Sequence, residues 1–439
     1  MLLPLRQLAA TSAALLCCLI APLVWGNEPP QPLLHRVLNV QDSGPGSLRQ
    51  AILDSRQQPG SHLVRFELET LAAPATITLR SPLPVLHGEL TLQGQQPSQL
   101  WQSGGIIISG AKRFRLLEVA ADGKVAITDL TLADGQAPAG AAILSSGQLR
   151  VNGVSFLQNH ASEDGGAILQ TAGRSHIINS TFYRNGAARH GGGIAQSGGE
   201  LVVGNSTFAD NAAQTGGALH SLGGLWLRNT LLANSQSETD CVLLGALHPA
   251  SDNNLIMKHQ GCGQPVSQQE PRLEALGYYN GPTPTLPLGG GSPAINLGSN
   301  AAALDEQDQP LEWDQRGNGD PRIVAGIVDI GAFEVQAYPR LMVNTLADSP
   351  AAACSGTRGD CSLRGALSLV EAMGKSATIL FDPHIFGTPQ QITLASPLPA
   401  PSVPLALDAA NCAAITLRGT GAPFARNTQL QLRGIELLD

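Results

Sequence analysis

Asp164 and His190 stand 26 residues apart, each immediately before a glycine pair, and Glu163 stands the same distance from Arg189. If the chain repeats with that period, the carboxylate comes beside the imidazole, an arrangement suited to general acid–base chemistry. Opposite charges on neighbouring strands are also ordinary cross-strand partners, and that reading is preferred. A second group, Asp314, Arg316, Arg322, Asp329 and Glu334, falls in a glycine-rich stretch, where clustered opposite charges fasten loops together. Asp382-Pro-His384 has an epimerase-like look. It aligns within an internal duplication against Glu67-Leu-Glu69, which keeps the acid and loses the Pro and His, so a structural role is preferred. The triplets Asn-Thr-Asp, Gly-His-Gly and Arg-Ile-Lys and the doublet Asp-Asp, signatures of polysaccharide hydrolysis on stacked β-coils, are missing, as is any Asp-x-Asp calcium loop. No catalytic, cofactor-binding or metal-binding residue is assigned.

What would position such residues is a repeat of about 26 residues. Gly140-Ala-Ala-Ile143, Gly165-Gly-Ala-Ile168, Gly191-Gly-Gly-Ile194 and Gly216-Gly-Ala-Leu219 follow at spacings of 25, 26 and 25, and Phe156, Phe182, Phe208 and Leu232 at 26, 26 and 24. Other columns are Leu149, Ser175, Leu201, Leu225 and Val151, Ile177, Val203, Leu227. These pairs lie two apart, the period of a strand with one buried face. No helix-period stripe runs through a coil. The fold expected is all-β, a right-handed parallel β-helix, each strand pairing with its equivalent one turn away at ~4.8 Å. Asn159, Asn185 and Asn211, followed by Ser235, predict an amide ladder. Asn179-Ser-Thr181 and Asn205-Ser-Thr207 match the glycosylation pattern, but their recurrence at the coil period favours a structural role.

A longer repeat frames the coils. Ser47-Leu-Arg-Gln-Ala51 recurs as Ser362-Leu-Arg-Gly-Ala366, and Ile77-Thr-Leu-Arg-Ser-Pro-Leu-Pro84 as Ile392-Thr-Leu-Ala-Ser-Pro-Leu-Pro399, both offset by 315. Each copy predicts a short amphipathic helix, N-capped by Ser, laid over the open end of a β-helix. Cys361-Ser-Leu-Arg-Gly-Ala366 resembles the CSLREA motif of bacterial exported β-helix proteins, with Gly365 in place of the usual Glu. Gly281-Pro-Thr-Pro-Thr285, Ser292-Pro-Ala-Ile295, Asp314-Gln-Arg-Gly317, Pro321-Arg322 and Asp329-Ile-Gly-Ala-Phe-Glu334 resemble their choice-of-anchor Q segment. The resemblance implies a pectin-lyase-like β-helix exported to the cell surface, and no settled activity. The second copy reaches Leu430-Gln-Leu-Arg-Gly-Ile-Glu-Leu437 and stops, so either the chain is a truncated product or its last rung pairs with another protein.

Composition sets the remaining bounds. Gly is 49 of 439 residues, aromatics are 4% and the net charge is −8, with no basic clusters, which argues against a nucleic-acid partner. Residues 1–26 read as a secretory signal peptide, and no other apolar run is long enough to span a membrane. The expected pairs are Cys241–Cys262 and Cys354–Cys361, with Cys412 free; His259 beside Cys262 is too little for a metal site. The division expected is an N-terminal cap and first rungs over 27–118, coils over 119–240, further rungs over 241–336 and a second, partial cap over 337–439. The function expected is an extracellular or cell-surface protein, without cofactor or catalysis, whose long face binds polysaccharide or protein. The alternatives are a polysaccharide lyase or glycoside hydrolase, and a structural spacer.

Overall fold

The computed structural model describes residues 31–438 except 69–73, 95–104, 280, 318, 325, 337–339, 351–352, 355–356, 358, 374–376, 400, 404, 410–411 and 420–429; the leader expected over 1–26 lies outside the described residues. The chain winds as a right-handed parallel β-helix with three long sheets, each built from one short strand per coil. The first and longest contains Lys124–Thr128, Gln148–Asn152, Arg174–Ile178, Glu200–Gly204 and Gly224–Arg228 among its nine strands. The second carries the Phe column, and the third the Ile column that follows the glycine pairs. Every strand pair is parallel, and the columns read from sequence are the observed registers: Leu149↔Ser175↔Leu201↔Leu225 and Ile143↔Ile168↔Ile194↔Leu219.

Like residues therefore lie on like. The rings of Phe156, Phe182 and Phe208 stack at 4.3 and 4.2 Å with no exposure, inside one continuous core. Burying each contributes about 2–3 kcal/mol. Sharp turns between the first and second sheets need left-handed backbone, and the column there is Asp129, Gly153, Asn179, Asn205, Asn229 and Asn253, all at φ between 43 and 68°. Only Gly, Asn and Asp take that conformation readily. This accounts for both Asn-Ser-Thr triplets: Asn179 and Asn205 are buried turn residues. The amide ladder forms as expected. Asn159 Nδ2 donates to Asn185 Oδ1 at 2.9 Å and Asn185 Nδ2 to Asn211 Oδ1 at 3.0 Å. Where Ser235 replaces Asn, Asp240 Oδ1 accepts its N–H instead, at 2.9 Å.

The duplicated cap motifs have one physical cause. Helix Leu48–Ser55, capped by Ser47, buries Leu48, Ala51 and Ile52 against the first coils. Arg49 leaves that helix to donate to the carbonyls of Ser81 and Pro82 at 2.9 and 2.6 Å and to Asp42 at 2.8 Å. Asp42 in turn accepts the Arg80 N–H at 2.9 Å. Burial pushes the Asp42 carboxyl up, but Arg49 and that N–H outweigh it and hold it below its ordinary value. Helix Leu363–Met373 repeats the arrangement: Arg364 reaches Ser396 O, Pro397 O and Asp348, and Asp348 accepts the Ala395 N–H. Ser-Leu-Arg and Ser-Pro-Leu-Pro are thus the two halves of one clamp. The second copy continues into two short parallel sheets with a core of their own. Both expected disulfides are present, Cys241–Cys262 and Cys354–Cys361, and Cys412 is free.

Rungs were expected through residue 336, but among the described residues the strands of the first β-helix stop at Gln260. The described residues of 281–336 instead form an irregular strap along the outside of the coils. Ser155, Thr181 and Thr207 share one column and point outward, since their Phe neighbours point in. They hold the strap through Pro284 O, Gln315 Oε1 and Ala332 N respectively. Asn179 and Asn229 bind the carbonyls of Trp313 and Ser299. Arg228, 1% exposed, runs across Gly204 to His176 at 3.1 Å and donates to Leu304 O at 3.0 Å. Burial, with Arg228 beside it, lowers His176 to about 4.

Candidate functional site

The acid–imidazole arrangement of Asp164 and His190 is not made. Arg189 lies between the acids and takes both, at 2.7 Å to Asp164 and 3.0 Å to Glu163. His190 Nδ1 is instead 2.7 Å from Thr215 Oγ1, and its ring stacks on His220 at 4.5 Å. Neutralised by a guanidinium, Asp164 is a cross-strand partner, as preferred from the sequence.

The charges of 314–334 come together inside the strap. Arg316 pairs with Asp314 at 2.6 Å and Asp320 at 3.1 Å, and Arg322 with Glu334 at 3.0 Å, all almost wholly buried. Asp329 accepts the N–H groups of Asn296 and Val335, both at 2.7 Å. Burial pushes Glu334 up to about 7 against the pull of Arg322, and raises Asp329 as well. These groups fasten loops and are closed to a substrate. Asp382 likewise caps the short helix Pro383–Phe386 by accepting the His384 N–H at 2.9 Å.

A groove of about 710 Å³ lies elsewhere, between the strap and the outer face of the first sheet. Its floor is the column Gln93↔Thr128↔Asn152, outward by the period-two alternation of their strands. Its wall is strap residues 305–307 and 310–315, with Trp313 half-buried. The Trp313 indole N–H has no hydrogen-bond partner among the described residues, and the buried Thr128 hydroxyl at the floor has none either. Asp129, Asp305, Glu306, Glu312 and Asp314 supply carboxylates, and no Lys or Arg is among the described residues that line the groove. Asp314 is committed to Arg316. Asp305 accepts the N–H groups of Gln307 and Gln309, both at 2.8 Å. Asp305, Glu306 and Glu312 have no ion-pair partner among the described residues, where no cluster able to hold a metal ion occurs. The size falls within the ~300–1,000 Å³ usual for ligand clefts. An aromatic side, an amide floor on which Arg65 Nε donates to Gln93 Oε1 at 3.1 Å, and the carboxylates of Asp305, Glu306 and Glu312 can stack on and hydrogen-bond a polyhydroxylated ring.

Residues 153–171 match the Chlamydia polymorphic membrane protein (PMP) repeat. The matched stretch is most of one coil and contains Phe156, Asn159 and Gly165-Gly-Ala-Ile168, the residues that recur down the columns. The chain thus carries, in that coil, a β-helix repeat of the surface or autotransporter-like type. No curated protein matches the chain. Among the described residues no helix is long and apolar enough to cross a membrane.

Sequence reasoning did not find the groove. Gln93, Thr128 and Asn152 stand in the repeat register, but the strap that walls them off has no periodicity to reveal where it lies. The one available signal was the Asn column, whose side chains turn outward to bind it.

Proposed function

We propose that this chain is an exported, surface-displayed β-helix protein that binds glycan in the groove between strap and first sheet, without cleaving it. The observation carrying the reading is Trp313, half-buried with its N–H unengaged, facing a floor of Gln93, Thr128 and Asn152. Aromatic faces and planar amides are the side chains that hold rings rich in hydroxyl groups. Export is supported by the leader-like residues 1–26, by the resemblance to CSLREA and choice-of-anchor Q proteins, and by the surface-type repeat. Residues 337–439 are read as a second cap that opens another β-helix. Leu430–Arg433 and Ile435–Leu438 are the outermost described strands of their sheets, and Leu432 and Leu437 are each 38% exposed, which supports edge pairing with a further strand.

The test joins a glycan-array screen with reducing-sugar and unsaturated-product assays. Binding that Trp313→Ala weakens at least tenfold, without product, is expected; retention of full binding by that variant removes the groove from the account. A second reading, polysaccharide cleavage, is favoured by Asp305, Glu306 and Glu312 sharing the groove, since glycosidases work through paired carboxylates. Product formation abolished by Glu306→Gln or Glu312→Gln would establish it.

A further inference from the structure

The groove floor holds two neighbouring groups that can react with each other. We infer that Asn152–Gly153 is a modification site, where the Asn152 side chain closes on the Gly153 nitrogen, loses ammonia and becomes Asp or isoaspartate. This stands apart from the glycan-binding reading, since it holds whether or not the groove takes sugar.

Asparagine is chemically labile, and a glycine after it has no Cβ to hinder ring closure through its nitrogen. Two Asn-Gly pairs have both members among the described residues, and the fold treats them in opposite ways. At Asn185–Gly186 closure is blocked. The ladder fixes the Asn185 amide with no exposure, and the Gly186 N–H donates to Asn159 O at 2.8 Å. Those bonds must open before a ring can form there, which slows that pair by roughly tenfold or more. Asn152 is half-buried in the groove wall, and its amide makes no hydrogen bond among the described residues. The Gly153 N–H makes none there either, although Thr283 Oγ1 donates to the Gly153 carbonyl at 2.9 Å. Both reacting groups are thus unengaged, beside a cleft of about 710 Å³ that admits water.

The reaction balances without oxidant or cofactor. The bond from Gly153 N to Asn152 Cγ forms as the Cγ–Nδ2 bond breaks, and the N–H proton passes through water to the departing ammonia. Water then opens the cyclic imide. Attack at Cγ gives Asp; attack at the main-chain carbonyl gives isoaspartate. Either product sets a carboxylate on the floor, in register between Thr128 and Ile178. Isoaspartate also carries the main chain through Cβ and turns the carbonyl that accepts the Asp129 N–H, at 3.2 Å, into the free carboxylate.

Peptide mapping by mass spectrometry, after the full chain has aged in mildly alkaline heavy-oxygen water, tests this. Ring opening leaves one heavy oxygen at each converted residue, which separates new carboxylates from those already present. In the folded chain Asn152 is expected to convert at least tenfold faster than Asn185. In urea, where only the shared Asn-Gly sequence remains, the two should convert at similar rates. If Asn152 stays intact in the folded chain while converting in urea, or if Asn185 keeps pace with it in the folded chain, the site is overturned. The glycan array and the Trp313→Ala variant decide the binding reading separately.

Discussion

Replacing Asn185 with alanine cuts the amide ladder at its middle. The side chain takes part in four hydrogen bonds: Nδ2 donates to Phe156 O at 2.9 Å and Asn211 Oδ1 at 3.0 Å, and Oδ1 accepts from Asn159 N at 3.1 Å and Asn159 Nδ2 at 2.9 Å. Every group involved is buried, so water cannot take over. The Asn159 backbone N–H loses its acceptor. Its own amide keeps Leu132 O, and Asn211 Oδ1 keeps the Asn185 backbone N–H. At about 1 kcal/mol for each of the four bonds lost, plus about 1–3 kcal/mol for a stranded backbone donor, the cost is about 5–7 kcal/mol. Because stacked coils open in neighbouring units, the loss should show first as fast amide hydrogen exchange across the coils at 159, 185 and 211, and then as a lower urea midpoint. A loss below about 1 kcal/mol, with exchange unchanged, would mean that the amides do not satisfy one another and that the column is incidental.

Glycine positions separate crowding from conformation. Gly165→Ala should cost about 2 kcal/mol or more in urea melts, since φ is +67° and a Cβ would lie 2.3 Å from Ile168 O. Gly88→Ala, at φ +62° with nothing within 4 Å, should cost only about 1 kcal/mol. Arg364→Ala should loosen the second cap by about 2–3 kcal/mol, and Arg364→Lys should recover under half of it because an ammonium cannot fork across Asp348 and two carbonyls. Glu334 sets a pH dependence. With its carboxyl raised from 4.5 to about 7, the folded chain holds a proton that the unfolded chain releases. Its contribution to stability is therefore fully present below about 4.5 and declines up to about pH 7, by about 3–4 kcal/mol. Glu334→Gln should flatten that slope in urea titrations run across the same range.

The coils were legible because a stacked fold writes itself in columns: a residue and its equivalent one turn on meet the same environment, so Phe156 predicts Phe182. Both disulfides were legible from short separations. The cap clamp was visible only as a repeated motif; that Arg49 and Arg364 bind the carbonyls of the Ser-Pro pair depends on contacts some 32 residues apart. The strap was illegible for a related reason. Gln315 meets Ser155 and Thr181 across 160 and 134 residues, with no register to announce it, and one strap residue binds several different coils. Asp164 and His190 do share a register position, yet register places Cα atoms and leaves Arg189 free to claim the acid.

The in-register winding of the coils, on which groove, ladder and strap depend, is tested most directly by a distance. Lys124 and Ala246 are exposed on the first sheet five rungs apart, through Gln148, Arg174, Glu200 and Gly224. Spin labels on Lys124→Cys and Ala246→Cys, in a Cys412→Ser background, should give one narrow distance of about 24 Å at ~4.8 Å per rung. A broad distribution, or a separation beyond about 40 Å, would contradict the stacking.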